Sequence, residues 1–232
     1  MLLGSIALVQ TALAADAVVV GNKAGQSAVA QGPIKARVEL DACRFSLPLS
    51  ADQGLTFDST YLLFIAGQQR SDPASAPRLW QAETSSGYDW NFEKPGNLSQ
   101  PWFGAVCEHT ENFSRLTGSK PSEDDSIALQ ILRDDNDRRC PATLTDHGWE
   151  PTSLAGPGNR YTFEALKGET SSGFIFAFHD PSRRHITRVA FCLLRGESVL
   201  IGSAQSGSAT PLAISAEGFE QIRTAVRGIA FE

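Results

Sequence analysis

From Ile34 the chain alternates. Ala36, Val38 and Leu40 interleave with Lys35, Arg37 and Glu39, so a strand is expected. After Asp41-Ala42 the apolar set becomes Cys43, Phe45, Leu47 and Leu49, a phase switch of the kind a β-bulge produces. Thr60–Ala66 is an apolar run that predicts a buried strand, and Ser71–Pro77 reads as a Pro/Ser loop. In the second half, Arg160–Lys167 and Gly173–His179 predict a hairpin with Phe174, Phe176 and Phe178 on one face. A second hairpin joins Ile186–Leu194 to Ser198–Ala204 through Arg195-Gly196-Glu197. Ser215 can cap a helix reaching about Ile229, with Glu217 in its first turn and Phe219, Ile222, Val226 and Ile229 on one stripe. Ser126–Arg133 carries two patterns. Ser122 with Asp125 could form a capping box, but Ile127, Leu129 and Ile131 alternate, and a strand is the preferred reading. Strands followed by one packing helix give an α+β fold: antiparallel β-sheet meanders with a C-terminal packing helix.

The ends and the cysteines add a compartment. Leu2–Leu13 is apolar apart from Ser5, Gln10 and Thr11. Ala12-Leu13-Ala14 is the small-x-small pattern a signal peptidase accepts, although no Lys or Arg precedes the run. The expected organisation is a signal peptide over 1–14, a flexible leader over 15–33 with one short strand at Ala17–Val20, an N-terminal β-rich half over 34–145, and a C-terminal antiparallel sheet plus helix over 146–232. The signal run is too short to remain as a membrane span after cleavage. Cys43, Cys107, Cys140 and Cys192 are even in number and widely spaced, which suits two disulfides in an oxidising compartment rather than a zinc or C-x-x-C site. Three connectivities are open. An internal echo bears on them: Glu83-Thr84-Ser85-Ser86-Gly87-Tyr88 matches Glu169-Thr170-Ser171-Ser172-Gly173-Phe174, each followed by an aromatic strand and then a strand ending in cysteine. A duplicated β module would pair Cys43 with Cys107 and Cys140 with Cys192; convergence of common turn residues would leave the pairing open.

The 232 residues carry 20 Lys and Arg against 26 Asp and Glu, a net charge of −6, which gives no electrostatic footprint for nucleic acid. No Gly-x-Ser-x-Gly elbow occurs, no histidine pair has helical zinc spacing, and no cofactor or metal is implied. Cys107-Glu108-His109 reads as a disulfide cysteine beside a histidine rather than a nucleophile and its base. Asp134-Asp135-Asn136-Asp137 lacks the Gly and Glu of a calcium loop and reads as a solvated turn. Asn97-Leu98-Ser99 and Asn112-Phe113-Ser114 are formal glycosylation sequons.

Two groups are candidates for binding. His179, Asp180, Arg183, Arg184 and His185 form the densest polar cluster, able to take an anion, though a solvated loop has the same composition. Trp90, between Asp89 and Asn91, is the aromatic most expected to be exposed, while Trp80 and Trp102 are expected in the core. The segment Asp41-Ala42-Cys43-Arg44-Phe45-Ser46-Leu47-Pro48, with its following apolar strand, is similar to the opening of periplasmic immunity proteins that neutralise secreted lipase toxins; Phe191-Cys192-Leu193-Leu194 adds little, and the likeness covers a small part of the chain. It implies a periplasmic or secreted non-catalytic protein that occludes a protein partner. A carbohydrate- or small-ligand-binding module using Trp90 is the alternative, and a hydrolase assembled from His179, Asp180 and His185 is a third.

Overall fold

A computed structural model of the chain describes residues 18–21, 25–58, 60–67, 76–84, 87–94, 100–117, 126–207 and 213–232. The expected signal peptide and most of the 71–77 loop lie outside them. The first half forms β1 (Val19–Gly21), β2 (Gln26–Val29), β3 (Ile34–Leu40), β4 (Cys43–Leu49), β5 (Gly54–Asp58), β6 (Tyr61–Ile65), β7 (Arg78–Thr84), β8 (Gly87–Lys94) and β9 (Trp102–His109). The second half forms α1 (Ile127–Arg139), β10 (Ala142–Thr145), β11 (Gly148–Pro151), β12 (Tyr161–Lys167), β13 (Ser172–His179), β14 (Ile186–Arg195), β15 (Ser198–Ser206), α2 (Ala216–Arg227) and β16 (Ala230–Phe231). Segment 15–33, expected as a loose leader, thus supplies β1 and β2.

Two sheets face each other. The small one runs β1-β3-β4-β16; the large one runs β12-β13-β14-β15-β9-β6-β5-β2, with the β7–β8 hairpin attached where β8 meets β15. Pairing is antiparallel except for β1 with β3 and β8 with β15. Inward residues of both sheets, among them Val38, Phe45 and Leu47 from the small one and Leu62, Phe64, Phe103, Phe191 and Leu200 from the large one, make one continuous core. Helix α2 joins it by the expected stripe: Ile222 and Val226 are buried and Phe219 packs against them, each full burial contributing about 1.5–3 kcal/mol. The Ser215 hydroxyl accepts a hydrogen bond from the Gly218 N–H at 2.9 Å, starting the helix as expected.

The opposite face of the large sheet carries a second layer. Phe174, Phe176, Cys192, Val199 and Ile201 pack beneath Phe113, Leu116, Cys140, Ala142 and Trp149. Disulfides brace both faces: Cys43–Cys107 ties the small sheet to β9, and Cys140–Cys192 ties the end of α1 to β14. This is the pairing that a duplicated β module implied. The echo itself extends through the hairpins β7–β8 and β12–β13 and stops there. β14 continues the meander beside β13, whereas β9 pairs with β15 and β6 rather than β8. Glycine is needed where strands pass close over phenylalanine rings. A Cβ on Gly104 would lie 2.0 Å from the Phe92 ring, and one on Gly202 would lie 2.0 Å from the Phe191 ring.

Three expectations are corrected. The phase switch at Asp41-Ala42 is a two-residue hairpin turn, not a bulge. Leu40 pairs with Cys43 across it, so residues three apart share a face, and Asp41 takes a positive φ of 50°, which Asp tolerates. Ser126–Arg133 is the start of helix α1, not a strand. Ser126 caps it, accepting from the Leu129 N–H at 3.2 Å, and Ile127 is 77% exposed, so the apolar alternation there marks no buried face. Asp134–Asp137 lies within this helix rather than in a solvated turn, and Asn136 and Asp137 are its two buried residues. The hairpins of the second half fall where expected, the second turning at Gly196 with φ 56°.

Candidate functional site

The 179–185 cluster closes the β13–β14 hairpin, and the carboxylate of Asp180 organises it. That carboxylate accepts from the Arg184 N–H at 2.9 Å, the His185 N–H at 3.2 Å and the Ser182 hydroxyl at 2.7 Å, and the His185 Nδ1 lies 3.3 Å away. The Ser182 hydroxyl, with the His185 contacts behind it, holds the Asp180 carboxyl far below the usual carboxylate range. Arg183 sits at φ 58° and donates to the Asn159 carbonyl at 2.8 Å. His179, at the end of β13, lies 2.9 Å from the Thr162 hydroxyl, and burial, with the Arg183 charge, lowers its pKa. Serine, aspartate and histidine therefore meet here, but in the order Ser182–Asp180–His185. A hydrolytic relay needs the serine hydroxyl to donate to the imidazole; here it donates to the Asp180 carboxylate, and the geometry is that of a hydrogen-bonded turn.

Trp90 occupies a different position. It is half-buried, its ring edge-on to Phe92 at 5.8 Å, and the Arg139 guanidinium lies 4.1 Å from its centroid. Arg139 is the last residue of α1 and is held on four sides. Its Nε and Nη2 donate to the Trp90 carbonyl at 3.1 and 2.9 Å, Nη1 donates to the Asp135 carbonyl, and Nη2 pairs with Asp89 at 3.0 Å. Burial pulls its pKa down to about 10. The contact bolts α1 to β8, so the second layer and the β7–β8 hairpin meet over the sheet at Trp90. Trp80, expected in the core, is instead 37% exposed, whereas Trp102 is buried as expected.

From Trp90 an aromatic and cationic strip runs along the sheet face. Arg188 of β14 lines the same narrow cleft as Trp90 and Arg139, and its guanidinium rests 4.0 Å from the Phe178 ring. Phe178 meets Tyr161 at 6.3 Å, and Phe163 packs on Phe176 at 4.9 Å. Trp90, Tyr161, Phe163, Phe178 and Arg188 are each half-buried. On the far side of Trp90 a larger cavity of about 620 Å³ opens between the β7–β8 hairpin and the sheet ends, with Leu40, Phe57, Leu79 and Val106 as apolar wall and Asp41, Gln81 and Glu108 as polar groups.

The structure thus links the two sequence candidates only indirectly. Phe178 and Arg188 stand between Trp90 and the 180–185 turn; Phe178 is expected from the sequence only as part of a hairpin face, and Arg188 is not a sequence candidate. A signal for Arg188 did exist: it shares the period-two phase of Ala190 and Cys192, so a charge falls on a face otherwise committed to packing. Nothing in the local sequence marks Arg139, because its partners Trp90 and Asp89 are about fifty residues away. Among the described residues, no group of three His, Cys, Asp or Glu is placed to hold a metal ion. No helix among them is long and apolar enough to cross a membrane. No family model, curated protein or solved structure matches the chain.

Proposed function

We propose that this chain is an exported, non-catalytic binding protein of the periplasm or the secreted medium, and that it occludes a protein partner as an inhibitor or immunity-type protein does. One observation carries the reading: the unbroken strip of half-buried Trp90, Arg188, Phe178 and Tyr161 on one sheet face. Tryptophan, tyrosine and arginine dominate the energetics of protein interfaces, and half-burial in rigid strands means little side-chain freedom is lost on docking. The two disulfides suit an oxidising compartment. The test is a pull-down of the tagged full chain from periplasmic and secreted fractions. The expected result is one stoichiometric protein whose own activity falls in the complex, and whose affinity drops at least tenfold for Trp90→Ala or Phe178→Ala. A partner bound equally well by both variants would overturn the assignment of this face.

A second reading rests on the 620 Å³ cavity beside Trp90, which is within the usual range for small-ligand sites. An indole wall with Gln81, Asp41 and Glu108 suits a sugar ring. Saturable quenching of tryptophan emission by an oligosaccharide, lost in Trp90→Ala, would favour it over protein occlusion.

A further inference from the structure

Arg188 is a cation without a counterpart. Its five N–H groups make no hydrogen bond or ion pair with any described residue; it rests on the Phe178 ring, feels the field of Asp89, and shares its cleft with the like charge of Arg139. Asp89 itself is engaged by Arg139 at 3.0 Å. Arg139 has its own acceptors in Asp89, the Asp135 carbonyl and the Trp90 carbonyl, so it does not compete for a ligand. Burial works against the charge on Arg188, pulling its pKa below the ordinary arginine value. Arg188 is nevertheless only half-buried, so its unpaired guanidinium fork keeps contact with solvent and is open to an acceptor that arrives from outside. The lining beside it is mixed: Ser203 and Asn91 line the same cleft, together with the apolar Ala190, Ile201 and Gly202.

Size then narrows the ligand. The cleft encloses only about 20 Å³, little more than the space one water needs. A sugar ring or nucleobase does not enter; a flat terminal group can meet the guanidinium at the mouth of the cleft without being enclosed by it. A carboxylate matches the guanidinium fork with two parallel hydrogen bonds, and a serine hydroxyl and carboxamide beside it can donate to its remaining lone pairs.

We infer that the mouth of the cleft between α1 and β8, lined by Arg188 and Ser203, is a carboxylate-binding site, and that its occupant is an acidic side chain of the protein partner. The identity of the occupant rests on the function proposed above; the chemistry of the cleft does not. Two arms separate them. In the first, full-length chain with labelled arginine is titrated with sodium propionate against sodium chloride at matched ionic strength, following the Arg188 Nε–H resonance. A saturable shift with propionate alone is expected, and its loss in Arg188→Lys, which keeps the charge but not the fork, assigns it. A response no greater than that to chloride overturns the site. In the second, the captured partner is measured against Arg188→Lys and Arg188→Gln, with thermal unfolding confirming that both variants fold. At least tenfold weaker binding to both, and competition by propionate, are expected; unchanged partner affinity overturns the assigned occupant. If the wild-type chain captures its partner while Arg188 ignores propionate, occlusion stands and the cleft proposal falls.

Discussion

Helices α1 and α2 both begin at a serine cap, yet they are held to the same sheet by opposite means. Helix α2 carries an apolar stripe, and Ile222 and Val226 sink into the core between β4 and β14. Helix α1 leaves Ile127 exposed and buries Asn136 and Asp137 instead. Asp137 accepts from the N–H groups of Ser114 and Arg115 at 3.3 and 3.1 Å, and the Asn136 amide donates to the Asn112 carbonyl at 3.0 Å. Arg133 donates to the Glu111 carbonyl at 2.7 Å, Arg139 grips β8, and Cys140 is bonded to Cys192. Hydrophobic attachment is non-directional and tolerates small shifts; polar and covalent attachment fixes position but little area. The helix that borders the Trp90–Arg188 cleft is the one attached by direction.

The comparison can be broken most forcefully at the disulfide. Replacing Cys140 and Cys192 together by serine opens a loop of 52 residues, and a loss of about 4 kcal/mol is expected, seen as a lower midpoint in chemical denaturation. Hydrogen exchange in that variant should quicken in α1 before α2; uniform quickening would show that the two helices share one attachment. Next comes Ile222→Ala. A cavity under α2 should cost about 3 kcal/mol globally and leave exchange in α1 relative to the core unchanged.

Asp137→Asn sharpens the contrast through pH. Its loss of about 2 kcal/mol comes from weakening two backbone hydrogen bonds under α1. Burial holds the Asp137 carboxyl above the ordinary aspartate value of 3.8, so the folded chain binds this proton more tightly than the unfolded chain does. The stability so gained is present below pH 3.8 and is lost as pH rises through the folded value. The gap between wild type and Asp137→Asn should therefore change just above pH 3.8 and be flat near neutrality; a gap constant across that window would count against a buried, charged Asp137. The smallest effects belong to the caps, at about 1 kcal/mol each for Ser126→Ala and Ser215→Ala. Ser215→Ala should lower the melting temperature, and Ser126→Ala should chiefly fray the first turn of α1.

The same contrast explains what could be read from the sequence. Helix α2, the strand at Ile34–Leu40 and the two late hairpins follow hydrophobic periodicity, and so does their position in the core. Helix α1 does not. Its apolar residues alternate as a strand's would, its buried residues are the polar ones, and its anchors Asn112, Ser114 and Trp90 are distant in sequence, so local pattern pointed the wrong way. At Asp41-Ala42 a hairpin and a bulge produce the same phase switch, and only the Leu40–Cys43 pairing tells them apart. The site was partly legible. Trp90 stands in it, but the charge density at 179–185 marked a turn whose donors face Asp180, while the unpaired cation was Arg188, a single residue inside a strand.

The order of strands in the large sheet has a temporal consequence. β15 is the bridge between β14 and β9, and the last two-residue strand closes the small sheet against β4. The centre of the large sheet therefore forms only when Ser198 meets His109, and the rim of the small one only when Ala230 meets Ser46. Such non-local pairing places this protein among slow folders.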